Sequence, residues 1–168
     1  RHEFSWKEIE TGMLNGITNA LQAIVILLII GILIGVWIQT GVVPTMLFYG
    51  LKILHPKIFL PAALLICSIT SLATGTSWGT SGTIGIALIG IGGGLGFPLP
   101  LVAGAVLSGA YFGDKMSPPS VTTNMAPAMV GTDLYTHIRH MSYTTGVSYG
   151  LTLVIEIVLG FFYGGGQA

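Results

Sequence analysis

The residue best placed for chemistry is Asp114. With Lys115 it stands between two apolar runs, and Ser117, Pro118, Pro119, Ser120, Thr122, Thr123 and Asn124 follow at once. A carboxylate beside apolar stretches is costly to keep and marks an ion or proton pathway by default, because it can hold a proton in one state and a cation in another. The neutral oxygens of Ser117, Ser120, Thr122, Thr123 and Asn124 suit a hard cation such as sodium. The plainer alternative is a helix end facing water, with Asp114 and Lys115 as an ordinary loop pair. A second concentration of oxygens lies at 70–83 (TSLATGTSWGTSGT), where eight of fourteen residues are Ser or Thr and three are Gly. Such hydroxyls often only bond the carbonyl one turn back. This density exceeds that need, so Thr76, Ser77 and Thr80, with Thr74 and Ser81, form a candidate ion path. Glu156, inside LTLVIEIVL, is the other carboxylate in an apolar run and a candidate second proton site, a partner for a helix outside this stretch, or, more plainly, a Glu near the membrane interface.

Three further patterns carry less. Gly75-Thr-Ser77-Trp-Gly79 has the G-x-S-x-G spacing of a serine-hydrolase elbow, and Asp114 or Asp133 followed by His137 or His140 keeps the chain order of a triad. That elbow needs a strand before it, whereas the flanks here read as helix, so a membrane serine hydrolase using Ser77 is a remote alternative and a non-enzymatic role is expected. Asp133, His137 and His140 share a helix face at i, i+4 and i+7, but with no further ligand nearby they read as a polar face, and no metal beyond transported sodium is expected. The run at 90–96 (GIGGGLG) lacks the dinucleotide register and a preceding strand.

Composition explains why the few charges matter. The 168 residues include six basic and six acidic ones, 7% of the chain, against 52% hydrophobic residues and 25 glycines. An ordinary soluble domain carries about 25% charge, so too few polar side chains exist here to coat a water-facing exterior. Net charge is zero with no basic cluster, which excludes the electrostatic footprint of a nucleic-acid binder. High hydrophobicity excludes disorder, and the single Cys67 cannot make an intrachain disulfide. Residues 11–51 and 58–113 contain no Asp, Glu, Lys or Arg. One span needs about 20 apolar residues, so these stretches and the tail at 141–163 predict four or five membrane passes in an all-α, polytopic membrane protein.

The elements that must position the candidate residues follow from apolar runs and their punctuation. Residues 23–38 read as the plainest span, broken at 41–44, with a half-helix or interfacial piece at 45–54. A helix is expected over 58–72 with Pro61 in its first turn, then a broken helix through 70–83, apolar helix at 84–95, a Gly/Pro turn, a span at 101–113, and a second break over 114–124. Residues 133–141 read as an amphipathic interfacial helix leading to the last span at 143–163. Two Ser/Thr-rich interruptions of apolar hairpins are the sequence pointer to a midplane ion site. Eight GxxxG spacings, among them Gly109/Gly113 and Gly160/Gly164, point to close helix packing. The acidic, aromatic start does not read as a signal peptide. Arg1 in place of Met, with the Gly-rich end at 164–168, leads to the expectation of a fragment of a longer chain, 1–168 being one partial transmembrane domain.

The runs SLATGTSWGTSGTIGIALIGIG, PLPLVAGAVLSGAYFGDKMSP and TTNMAPAMVGTDLYTHIRHM resemble the NhaC family of sodium/proton antiporters, including its sodium-lactate/malate-proton exchangers, from about Leu21 onward. The resemblance implies a multi-pass plasma-membrane transporter with inverted repeats and broken or re-entrant helices. Its expected partners are the bilayer, sodium, protons, a small carboxylate such as malate or lactate, and the remainder of its own chain, with no cofactor. Thr76, Ser77, Trp78, Gly79 and Thr80 match its TSWGT signature, and Asp114, Ser117 and Pro118 its GDKMSP signature. In the family pattern LSDTTN follows, whereas Val121 here occupies the place of the Asp. That departure implies an alternative: a transport-inactive fragment or degenerate copy.

Overall fold

The computed structural model describes residues 5–164, so the expectations placed on Arg1 and on the end of the chain fall outside it. Among these residues the regular structure is helical. The first helix, α1 (Trp6–Gln39), opens with a capping box: the Ser5 amide and hydroxyl both donate to Glu8 at 2.8 Å, and the two bonds, the amide's first, hold the Glu8 carboxyl below its usual range. Its 34 residues extend about 51 Å at ~1.5 Å each, so the apolar run expected at 23–38 is the C-terminal part of a longer rod. Left-handed Gly41 (φ 80°) turns the chain into α2 (Val42–Ile53), a helix of 12 residues where a short piece was expected.

Next comes α3 (Pro56–Thr74), which starts two residues earlier than apolarity alone indicates, because His55 accepts the Lys57 amide as N-cap and Pro56 begins the first turn. That start puts Pro61 in the second turn rather than the first, where its missing N–H leaves the Lys57 carbonyl without a helical donor. After Gly75 and Thr76 the chain resumes as α4 (Ser77–Thr80), a π-helical turn (Ser81–Gly85) and α5 (Ile86–Gly94). The remaining helices are α6 (Leu99–Met116), α7 (Val121–Val130) and α8 (Leu134–Tyr163).

Both hydroxyl-rich breaks are narrower than the sequence indicates. Residues 70–74 stay helical, with Thr74 Oγ1 donating to the Thr70 carbonyl, and Thr80 and Thr83 do the same one turn back, at 2.9 and 2.7 Å. The second break shrinks to residues 117–120, because Asp114–Met116 complete α6 and Ser120 caps α7. The interfacial helix expected at 133–141 is not separate. Asp133 caps α8 through the Thr136 amide at 3.0 Å, and nothing between 141 and 143 stops the helix, so one 30-residue element replaces two. Among the described residues, α3 and α8 are long and apolar enough to cross a membrane.

The core joins α3, α5 and α6 through Phe59, Leu60, Ala63, Cys67, Leu88, Ile91, Val102, Ala105, Val106 and Ala110, with the Phe97 ring tilted against Phe59 at 5.4 Å between centres. Along α3 and α6 the contacts step by four residues on both helices. A Cβ on Gly109 would strike the Leu64 carbonyl, one on Gly113 the Ser68 carbonyl, and Ser117 Oγ donates to the Leu72 carbonyl at 2.6 Å. The two helices therefore run parallel at backbone contact, and the turn after α3 lies beside the turn after α6.

Candidate ion-binding site

The two interruptions touch. Gly75 closes α3 in the left-handed conformation (φ 72°), and a Cβ there would lie 2.9 Å from the Pro119 carbonyl carbon and the Ser120 nitrogen. Only glycine satisfies both the turn and the approach. Gly75→Ala is expected to destabilise the protein by about 2 kcal/mol from left-handed strain together with the clash, read as a lowered melting temperature in detergent.

Asp114 sits at this junction, 8% accessible, on the last turn of α6. Ser77 Oγ donates to Oδ2 at 2.8 Å from the first break, and Ser120 Oγ donates to Oδ1 at 2.6 Å from the second. With its proton given to Asp114, Ser120 Oγ accepts from Thr122 Oγ1 at 2.9 Å and from the Thr123 amide at 3.4 Å. A negative charge near the C-terminal end of α6 is disfavoured by that helix's own dipole. The N-terminal ends of α4 and α7, where Ser77 and Ser120 stand, oppose that effect. This is not the water-facing loop pair: Asp114 is sealed and Lys115 is exposed.

The other candidate residues support backbone at the breaks. Thr76 caps α4 by accepting the Gly79 amide at 3.1 Å, and Thr80 bonds the Thr76 carbonyl. Ser117 ties the second break to α3. Thr123 Oγ1 donates to the Asp114 and Lys115 carbonyls at 2.9 and 3.1 Å, and the Asn124 amide to those of Pro118 and Ser120 at 2.6 and 2.7 Å. Asp114, Ser77, Ser120 and Thr122 thus form one polar cluster, held in place by Thr76, Thr80, Ser117, Thr123 and Asn124. Val121, next to sealed Ser120, is 71% exposed, so its side chain is not in the cluster.

Cavities border two groups of the cluster, one at Ser77 and one at Thr122 and Thr123. One of about 180 Å³ is lined by Ser77, Trp78, Ser81, Leu107 and Tyr111. The other, about 220 Å³, is lined by Lys115, Thr122, Thr123, Ala126, His137 and Met141. His137 also borders an open groove with Arg139, His140 and Thr136. Sequence reasoning left this second cavity unassigned. Its signal was the i, i+4 register of Asp133 and His137, which the structure divides: Asp133 caps α8, and His137 turns to the groove. Ser77 faces a carboxylate rather than a histidine and follows a helix and a turn, so the elbow geometry of a serine hydrolase is not formed.

The sequence model of the Na+/H+ antiporter family matches residues 1–110 and 109–168. The chain belongs to the Na+/H+ antiporter family. It is 55% identical over 162 residues to the malate-2H(+)/Na(+)-lactate antiporter of Bacillus subtilis, covering 96% of this chain and 35% of that protein. It is 49% identical over 155 residues to the Na(+)/H(+) antiporter NhaC of Alkalihalophilus pseudofirmus, covering 92% and 34%. With the arginine/ornithine antiporter ArcD of Halobacterium salinarum it shares 45% identity over 157 residues, 94% of this chain and 32% of that one. The chain thus spans about a third of the length of these curated relatives. No solved structure matches it. Membership of the Na+/H+ antiporter family makes this a membrane protein.

Proposed function

We propose that the chain is the central part of a plasma-membrane secondary transporter that exchanges sodium for protons, with Asp114 holding the proton and the cation in turn. One observation carries this reading: a buried carboxylate is bonded at both oxygens by hydroxyls from two touching helix breaks, with cavities at Ser77 and at Thr122 and Thr123. With the Ser77 and Ser120 hydroxyls turned to point their protons away, a cation at Asp114 would find both serine oxygens, with Thr122 beside Ser120, and rocking of α3 and α6 against their neighbours would open one cavity or the other. Everted vesicles containing the complete protein should lose an imposed pH gradient when sodium is added. A response no greater than that of vesicles lacking the protein would end the reading. Ser77→Ala and Ser120→Ala each remove a hydrogen bond to a charged group, worth roughly 1.5–3 kcal/mol. Each is expected to raise the sodium concentration for half-maximal exchange about 10-fold or more.

A small carboxylate as further cargo is favoured by Lys115 and His137 lining the cavity beside Thr122, with Arg139 along the adjoining groove. The relative named for malate and lactate supports the same reading. Malate or lactate inside such vesicles should then increase the sodium response. Exposed Val121, outside the Asp114 cluster, favours the antiport reading over the degenerate-copy alternative.

A further inference from the structure

On α8 the buried residues are Glu156 and Gly160 alone, a carboxylic acid and a glycine one turn apart on the same face. Glu156 is 6% accessible, and its Oε2 is buried with no hydrogen-bond partner among the described residues. The contacts on either side locate it. Gly160 presses on the Lys57 carbonyl, the one left without a helical donor by Pro61, and two turns the other way Tyr149 shares a 2.8 Å hydrogen bond with Ser68. Glu156 therefore lies inside the seam between α3 and α8, on the side of α3 away from the start of α4. The titratable groups of the packed helices do not serve it. On α3, Lys57 is exposed and Cys67 belongs to the apolar core. On α6, Tyr111 and Lys115 are exposed and Asp114 is occupied by Ser77 and Ser120. Helix α7 carries no titratable residue, and Tyr149 of α8 is bonded to Ser68.

An ionised carboxylate with one oxygen closed to every donor is far less stable than the neutral acid. A hard cation needs several oxygens arranged around it, whereas a proton needs only one. We propose that Glu156 is a second proton-binding carboxyl, separate from the Asp114 cluster, neutral while α3 and α8 are closed and ionised only when their seam opens. Its use in exchange rests on the antiport reading. Its protonation does not.

Infrared difference spectra of the complete protein in lipid, taken from mildly acidic to strongly alkaline pH, test this directly. The expected result is a protonated-carboxyl C=O band that is lost on alkalinisation and is missing in Glu156→Gln, which keeps the shape of the neutral acid. Absence of the band in the natural protein, its persistence at every pH, or its survival in Glu156→Gln would each overturn the proposal. If Glu156→Gln does not accumulate in the membrane, Glu156→Asp should move the band, and an unmoved band counts against the assignment. In transport, Glu156→Gln should lower the protons moved per sodium. A complete protein that moves no sodium would remove the antiport reading and leave the spectroscopic result to decide on Glu156.

Discussion

Asp114→Asn in the complete protein is expected to reduce sodium-driven proton movement by about 100-fold or more, while membrane abundance and melting temperature stay close to those of the natural protein. The two halves of that expectation have different causes. Asn matches the shape of Asp and can still accept one of the serine protons, Ser77 at Oδ2 or Ser120 at Oδ1, so the junction of the two breaks survives. What it cannot supply is the negative charge. Removing one partner of a buried charged interaction costs roughly 3–5 kcal/mol, which is a factor of about 100 or more in affinity. Asp114→Glu keeps the charge but adds a methylene to a sealed site between Ser77 and Ser120, so partial activity with altered cation preference is expected. Everted vesicles with an imposed pH gradient measure both variants. Full activity in Asp114→Asn would remove the carboxylate from the mechanism.

The types of group in this site were legible in the sequence because charge is so scarce. A lone Asp beside a hydroxyl cluster and two prolines has few structural reasons to exist in an apolar chain. What could not be read was the division of labour among neighbours. Thr76 and Ser77 are adjacent and chemically alike, yet one caps a helix and the other binds the carboxylate, and what separates them is that Thr76 is the extended N-cap and Ser77 the first helical residue. The breaks were placed to within a few residues by Gly75 and Pro118-Pro119. Their width was overestimated because Thr74, Thr80 and Thr83 satisfy their hydroxyls on the previous turn and let the helix continue. The inward direction of Glu156 had no sequence signal, since α8 is apolar on every side of it.

Glycine spacing shows the same limit and yields the largest expected effect on stability. Gly12, Gly16, Gly146 and Gly150 have GxxxG spacing, but among the described residues a Cβ on any of them would meet nothing within 4 Å. Gly109 and Gly113 have the same spacing, and a Cβ on either would run into main-chain carbonyls of α3, at Leu64 and Ser68. A side chain can swing away from an intruding methyl group, whereas a helical carbonyl cannot without breaking its own hydrogen bond. Gly109→Ala and Gly113→Ala must therefore push α3 and α6 apart, and each is expected to cost about 3 kcal/mol, the upper end for overpacking. Gly113→Ala should also disturb exchange, because it sits next to Asp114 and because the Ser71–Ala110 and Ser117–Leu72 bonds, both 2.6 Å, depend on the same close approach. Gly146→Ala and Gly150→Ala are expected to leave the melting temperature unchanged or slightly raised, since Ala favours helix over Gly by roughly 1 kcal/mol. Melting of the four purified variants in one detergent separates the cases: equal losses at all four positions would show that glycine acts through helix propensity, and losses confined to 109 and 113 that α3 and α6 are held at backbone contact.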